Sequence, residues 1–266
     1  MKKRAIFYPI LLMILLHTTG CKTLVSHRTS MKIMTYNVAI FMRDSMYPLN
    51  YKNIAAGIHE QKADVICLNE LDSMTTRTQH EYQLKQLASF FPTYEYKFAK
   101  AMDYQGGSYG DGILYRAKCV NQYTIPLPKA EGTEPRVMAV IETPSYIIAS
   151  VHLDVEEKAH QAQINAINNF FATHFKHSDK PIFLGGDLNA HPLSETLKTF
   201  GLDWVVLSEQ SPTYPALAPN ECLDYILWYK HSRKVKLQQT QVIKNFKSSN
   251  IKNSSDHLPV MVEVIF

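Results

Sequence analysis

Six apolar stretches of this chain each run out into a short polar signature. They are Tyr36-Asn37, Asn69-Glu70, His152-Leu153-Asp154, Gly186-Asp187-Leu188-Asn189, Leu223-Asp224-Tyr225 and Ser255-Asp256-His257. Short apolar runs that stop at polar residues read as buried strands with wet ends. A fold for this chain must therefore bury many strands and leave their ends free to meet. The side chains at those ends are carboxylates, carboxamides and two histidines, the groups that hold a hard divalent cation and direct water at a phosphate ester.

The spacing predicts strands over 32–38, 64–68, 94–99, 112–116, 136–142, 146–152, 181–186, 222–229, 235–243 and 258–266. In the first, Met34, Tyr36 and Val38 share one face while Ile33, Thr35 and Asn37 share the other. Helical spacing marks 51–61, 81–91 (stopping before Pro92) and 155–175. Residues 103–110, with Gly106-Gly107, read as a flexible or turn-forming loop. No repeat, low-complexity tract or interdomain linker interrupts the pattern. Interspersed strands and helices with strands in excess predict an α/β fold of two packed mixed β-sheets flanked by helices. Such a sandwich gathers strand ends on one rim.

Residues 1–20 are a targeting segment: Lys2, Lys3 and Arg4 precede an apolar stretch, 6–16, too short to span a bilayer comfortably. Thr18-Thr19-Gly20-Cys21 then resembles a bacterial lipoprotein signal, with Thr18 where that pattern usually has an apolar residue. The resemblance implies export to the bacterial cell envelope and a lipid anchor on Cys21. An ordinary secretory peptide cut nearby is the alternative, and it exports the protein without anchoring it. Residues 21–30 follow as a tether, and 31–266 form one domain large enough for a substantial core.

The segment 1–20 carries three positive and no negative side chains, so its removal lowers the formal charge from +4 to +1. A nonspecific nucleic-acid binder usually carries a basic excess, so nucleic acid is the less favoured partner. The lysine-rich runs 230–236 and 244–252 read as solvated faces. Cys67, Cys119 and Cys222 are odd in number and lack zinc spacing, which leaves no complete disulfide framework. Cys67 reads as a small buried apolar residue.

Taken singly, each signature has a bland explanation. Gly186-Asp187-Leu188-Asn189 suits an Asx turn, Glu70 a solvated strand end, and His152 a buried, hydrogen-bonded ring. Asp224 is different, because an ionised carboxylate in a strongly apolar strand is costly unless paired, and a histidine is its natural partner. Together they resemble the endonuclease/exonuclease/phosphatase superfamily, with its DNase I-like four-layer α/β sandwich. The matching stretches also include 34–38, 64–70, 184–190 and Ser255-Asp256-His257-Leu258-Pro259, in the order that family shows.

The resemblance implies a metal site of Asn37, Glu70 and Asp256 holding Mg²⁺ (or Mn²⁺) against a phosphate oxygen. It implies catalytic roles for Asp187, which orients or deprotonates water, and for Asn189, which bonds phosphate or nucleophile. His257, kept protonated by Asp224, donates to a nonbridging oxygen that His152 also contacts. Arg77, Tyr109 and Arg136 are the implied substrate-binding residues, with a structural ion pair as the other reading for each arginine. Three departures stand out: Ala39 where some nucleases carry an acid, Asp111-Gly112 where many relatives read Asn-Ala, and His160 where an arginine is common. The implied activity is a monomeric, membrane-tethered, Mg²⁺-dependent phosphoesterase that cuts phosphodiesters by in-line water attack. Phospholipid headgroups or related small phosphate esters fit best, and an apolar tip at 103–110 would favour the membrane. A secreted DNA- or RNA-cutting nuclease and an inactive surface-binding module are the alternatives.

Overall fold

The computed structural model describes residues 29–42, 49–251 and 254–266. The targeting segment 1–20, Cys21 and most of the tether lie outside the described residues. The elements begin with β1 (Ser30–Asn37), α1 (Tyr51–Gln61), β2 (Val65–Ser73), α2 (Gln83–Ala88), β3 (Glu95–Tyr104), β4 (Gly107–Tyr115), β5 (Asn121–Leu127) and β6 (Arg136–Glu142). There follow β7 (Ile147–His152), α3 (Glu157–His174), β8 (Ile182–Asp187), α4 (Glu195–Asp203), β9 (Trp204–Val206), β10 (Asp224–Tyr229), β11 (Lys236–Val242) and β12 (Val260–Ile265).

The strands form two six-stranded mixed sheets, ordered β11-β12-β1-β2-β4-β3 and β5-β6-β7-β8-β10-β9. Each strand splits its side chains between two cores, as period-two alternation requires. From the first sheet Met34, Tyr36, Ile66, Leu68 and Leu114 face out into a core shared with α1 and α2. From the second, Ala149, Val151, Leu184 and Leu227 face a core shared with α3 and α4. Between the sheets lie Ile33, Val65, Cys67, Ile113, Ile148, Phe183 and Ile226. The expected four-layer sandwich is the observed one. Each such aliphatic or aromatic side chain contributes about 1.5–3 kcal/mol on burial, which makes the register hard to slip.

Alternation also decides where the signatures point. Asn37, Asn69, His152, Asp187 and Asp224 fall on the inner faces, in line with Ile33, Cys67, Ile148, Phe183 and Ile226. β1 and β2 run parallel, as do β7 and β8, so the carboxyl ends of these four strands come to one rim. Asp224 opens β10 rather than ending it, because β10 runs antiparallel to β8 and pairs Asp224 with Asp187.

The sheets approach closely at Gly185, where an added Cβ would lie 2.9 Å from Cys67 Sγ and 3.2 Å from its Cβ. A bulky residue there must wedge the sheets apart. Gly185→Leu is expected to cost about 1–3 kcal/mol through overpacking. A thermal midpoint unchanged from wild type would show that the sheets yield there.

Two regions differ from the sequence expectation. Residues 103–110 are a hairpin, not a loop: Tyr104 pairs with Gly107, and Gln105 and Gly106 form a two-residue turn with φ of 44° and 81°. Two successive left-handed residues suit the strand twist, and glycine accepts that conformation at no steric cost. The tip is polar and pinned, since Gln105 O accepts from Thr76 N and Oγ1 at 3.0 and 2.9 Å. The short elements β5, α4 and β9 carry too little periodicity to be legible beforehand, and α2 occupies only the middle of 81–91.

Candidate active site

Asp187, at the end of β8, is the hub. Its Oδ1 accepts from Asn189 N at 2.9 Å, and its Oδ2 accepts from Asn37 Nδ2 at 3.1 Å. The same Oδ2 lies 3.7 Å from His152 Nε2 and 3.6 Å from His257 Nε2. Two imidazoles 105 residues apart in the sequence thus face one carboxylate oxygen. Burial pushes the Asp187 carboxyl up to about 7, with the charge of Asp224 adding to it and His257, Asn189 and Asn37 opposing.

His257 Nδ1 lies 2.8 Å from Asp224 Oδ2. Burial alone would lower this ring, but the carboxylates of Asp224 and Asp187 outweigh it and push the imidazole up to about 10. The ring is therefore a cation at neutral pH, and its Nδ1–H donates to Asp224. The costly lone acid of the apolar strand has found the partner its chemistry demands. Ser255 sets the loop: its Oγ donates to Asn37 O at 2.7 Å and accepts from His257 N at 3.1 Å.

His152 behaves oppositely. Burial, the Arg136 charge and the His257 charge all lower it, well below the ordinary 6.5. Asn189 Nδ2 donates to Leu153 O at 3.1 Å, which fixes the amide orientation, and the same nitrogen stands 3.0 Å from His152 Nε2. Nε2 of the neutral ring accordingly accepts, and the proton resides on Nδ1, which is buried without a hydrogen-bond partner. His152 was expected to contact phosphate; here its Nε2 holds Asn189 instead.

Glu70 follows Asn69 in β2 and receives Asn37 Nδ2 at 2.9 Å. Burial pushes its carboxyl up, and Asp256 adds to the push, while the Asn37 bond, His257 and Arg136 act the other way. Among the described residues Glu70 forms no ion pair, so a bound cation fits its chemistry: a half-buried carboxylate with one amide neighbour is left short of positive charge. Asp256 is exposed, and its side chain stands 3.4 Å from Ser255 Oγ, whose proton goes to Asn37 O. Asp187, Asp224 and His257 also bring ligand-type atoms within 4.8 Å of one another. The protonated, Asp224-bound ring of His257 has no lone pair to offer a metal.

The expected substrate residues divide. Arg136, only 5% exposed, leaves its Nε without a partner among the described residues and has Glu134 at 3.6 Å. Its charge reaches Glu70, His152 and Tyr109, so it is a buried cation facing the site with hydrogen-bonding capacity to spare. Tyr109 stands beside Glu70 and Asp111, which together with burial hold its phenol well above 10. Arg77 is otherwise engaged. Its Nε and Nη2 grip buried Asp72 at 2.6 and 2.8 Å, and its guanidinium covers the Tyr104 ring at 4.4 Å. With its fork closed on Asp72 it braces the β3–β4 hairpin rather than offering a phosphate contact. His160, at the departure noted above, is likewise structural: it is buried between Thr196 Oγ1 and Asp154 O.

Three positions escaped the sequence reading. Asn69 crosses between the sheets, donating to Val151 O at 2.8 Å and accepting from Asp187 N at 3.1 Å. Asp111 sits behind it, pushed up to about 7 by burial. Tyr214 lays its ring against His257, centroids 4.8 Å apart. Asn69 stood inside a quoted signature and Asp111 inside Gly110-Asp111-Gly112, but neither spacing carries a contact. Nothing local marks Tyr214.

The model of the Endonuclease/Exonuclease/phosphatase family matches residues 34–257. The chain belongs to that family. Its members are metal-dependent enzymes that hydrolyse phosphoesters, and this chain is a phosphoesterase. No curated protein matches it by sequence. Among solved structures it resembles a mannosyl-6-phosphatase of Bacteroides thetaiotaomicron at 16% identity and TM-score 0.74, covering 89% of this chain and 100% of that one. It also resembles an endonuclease/exonuclease/phosphatase family protein of the same organism (16%, TM-score 0.72, 90% and 98% covered). The human Nocturnin catalytic domain is a third (19%, TM-score 0.64, 90% and 96% covered). These likenesses concern the fold.

Proposed function

We propose that this phosphoesterase acts on small, soluble phosphate esters, with Mg²⁺ or Mn²⁺ held by Glu70 and Asn37 with Asp256 nearby. The observation that carries the reading is the convergence on Asp187 Oδ2 of Asn37, His152 and His257. The cation would act as a Lewis acid on a phosphate oxygen. Asp187 orients the attacking water and takes its proton. His257, positively charged and steered by Asp224, donates to a nonbridging oxygen as negative charge accumulates there. Arg136 offers its free Nε–H to the same group. Asn189, anchored by His152, holds the nucleophile in line with the leaving oxygen. No covalent enzyme intermediate is needed.

The pinned polar hairpin tip, Gln105-Gly106, favours a dissolved substrate over a phospholipid headgroup in its bilayer. The signal-like segment 1–21 supports export and a lipid anchor at Cys21 in the bacterial envelope, where small esters arrive by diffusion.

A metal-supplemented panel tests this. It contains hexose 6-phosphates, glycerophosphodiesters, bis(4-nitrophenyl) phosphate, phosphatidylcholine vesicles, supercoiled plasmid and RNA. Turnover of the small esters is expected, and EDTA should abolish it, with Mg²⁺ or Mn²⁺ restoring it. Release of headgroups from vesicles alone would move the substrate to the membrane. Plasmid nicking without small-ester turnover would make the enzyme a nuclease, and EDTA-resistant turnover would refute the metal reading.

A further inference from the structure

β2 and β4 fall out of step at one place, and it is the place that matters. Leu68 pairs with Gly112 and Leu71 with Gly110, so Asn69 and Glu70 together oppose the single residue Asp111. This is a β-bulge, which re-aims side chains at the cost of local pairing. It sets Glu70 in the left-handed region, at φ 58°. A non-glycine residue there costs on the order of 1–3 kcal/mol and persists only when its surroundings hold it. The bulge lets successive residues serve different ends: Asn69 enters the space between the sheets, and Glu70 turns to Asn37 on the rim.

The Asp111 carboxylate holds this bulge. It is 3% exposed, and its Oδ1 accepts from Asn69 Nδ2 at 3.0 Å, while the nearby backbone of Glu70 helps to stabilise its charge. One bulged residue is thus tied to this side chain across the ladder, and the other lies beside it. The tie continues, because the other end of the Asn69 amide accepts from Asp187 N at 3.1 Å. Glycines flank Asp111 where β4 is tightly packed on its other neighbours: a Cβ at Gly110 would lie 2.0 Å from Ala99 O in β3, and one at Gly112 2.6 Å from Leu84 Cδ2 in α2.

We propose that Asp111 is a positioning residue of the phosphoesterase site: it clamps the bulge that aims Glu70 and, through Asn69, sets Glu70 and Asp187 in one frame. The assignment rests on the reading that Glu70 holds the cation. It gives the Asp111-Gly112 departure a role: the carboxylate accepts from Asn69 Nδ2 across the bulge.

The test is Mn²⁺ binding to the full chain, read from the spectrum of free Mn²⁺ without substrate, together with thermal midpoints. Asp111→Ala and Asp111→Ser are expected to weaken binding about tenfold, as loss of a group orienting a ligand typically does. Asp111→Asn keeps one acceptor and should stay within about threefold of wild type. Wild-type affinity in folded Asp111→Ala and Asp111→Ser would overturn the clamp. So would an Asp111→Asn variant as weak as folded truncations, because the retained acceptor would then do nothing. If both truncations unfold while Asp111→Asn binds Mn²⁺ as wild type does, Asp111 is a stability residue and the proposal fails. Glu70→Gln is the control: wild-type Mn²⁺ affinity there defeats the cation reading itself, an outcome separate from any result at Asp111.

Discussion

Asp187→Asn is expected to lower kcat by about 10²–10⁴-fold, the usual worth of a positioned general base, while the protein remains folded. The amide keeps an oxygen for the Asn189 N–H but no longer accepts a proton from water. Folding should survive because the substitution removes a charge that burial, helped by nearby Asp224, already disfavours. The variant also takes from His257 one of its three supporting carboxylates. Its pH profile should therefore lose activity on the alkaline side earlier than the wild type. Measurement of kcat with saturating Mg²⁺, beside a circular-dichroism melt, checks both parts. A kcat within threefold of wild type would remove Asp187 from water activation.

The second large effect concerns Asp224→Asn. His257 owes its charge first to Asp224, at 2.8 Å, against a burial that would otherwise lower it. With the carboxylate gone the ring holds its proton less tightly, so at pH 8 more of it is neutral than in the wild type. Loss of the protonated donor to the phosphate is expected to cost about 10²-fold or more in kcat at that pH. The acid limb should move little. The converse variant, His257→Ala, leaves Asp224 buried and ionised with no cationic partner, and truncation of such a pair costs about 3–5 kcal/mol. Asparagine is therefore the informative substitution.

Stability carries the same signature with a definite sign. A histidine raised from 6.5 to about 10 binds its proton more tightly folded than unfolded. Its stabilisation is complete below pH 6.5 and disappears as pH climbs through 10. Urea midpoints at pH 6.5, 8 and 10 should fall for the wild type and fall less for Asp224→Asn. Equal slopes in the two proteins would mean that the pair does not carry the raised proton affinity.

The inventory of the site was written in the sequence because it depends on local rules. Asn37, His152 and Asp187 lie at strand ends, and the face each takes follows from counting by two from Ile33, Ile148 and Phe183. Asp224 announced its need for a partner by being an acid among apolar neighbours. Strand faces and burial costs act over a few residues, so one chain read in order is enough.

What needed the tertiary structure was everything that depends on two segments at once. That Arg77 closes on Asp72 while Arg136 keeps a free Nε–H is a fact about neighbours, invisible in either segment. The hairpin at 104–107 looked like a loop because its glycines mark turns and flexible tracts alike. Its pairing was settled by the strand alongside. The bulge at Asn69-Glu70 exists only against Asp111, since register is a relation between strands. Covalent geometry and side-chain chemistry chose the reacting groups, and the packing of two sheets chose which of them meet.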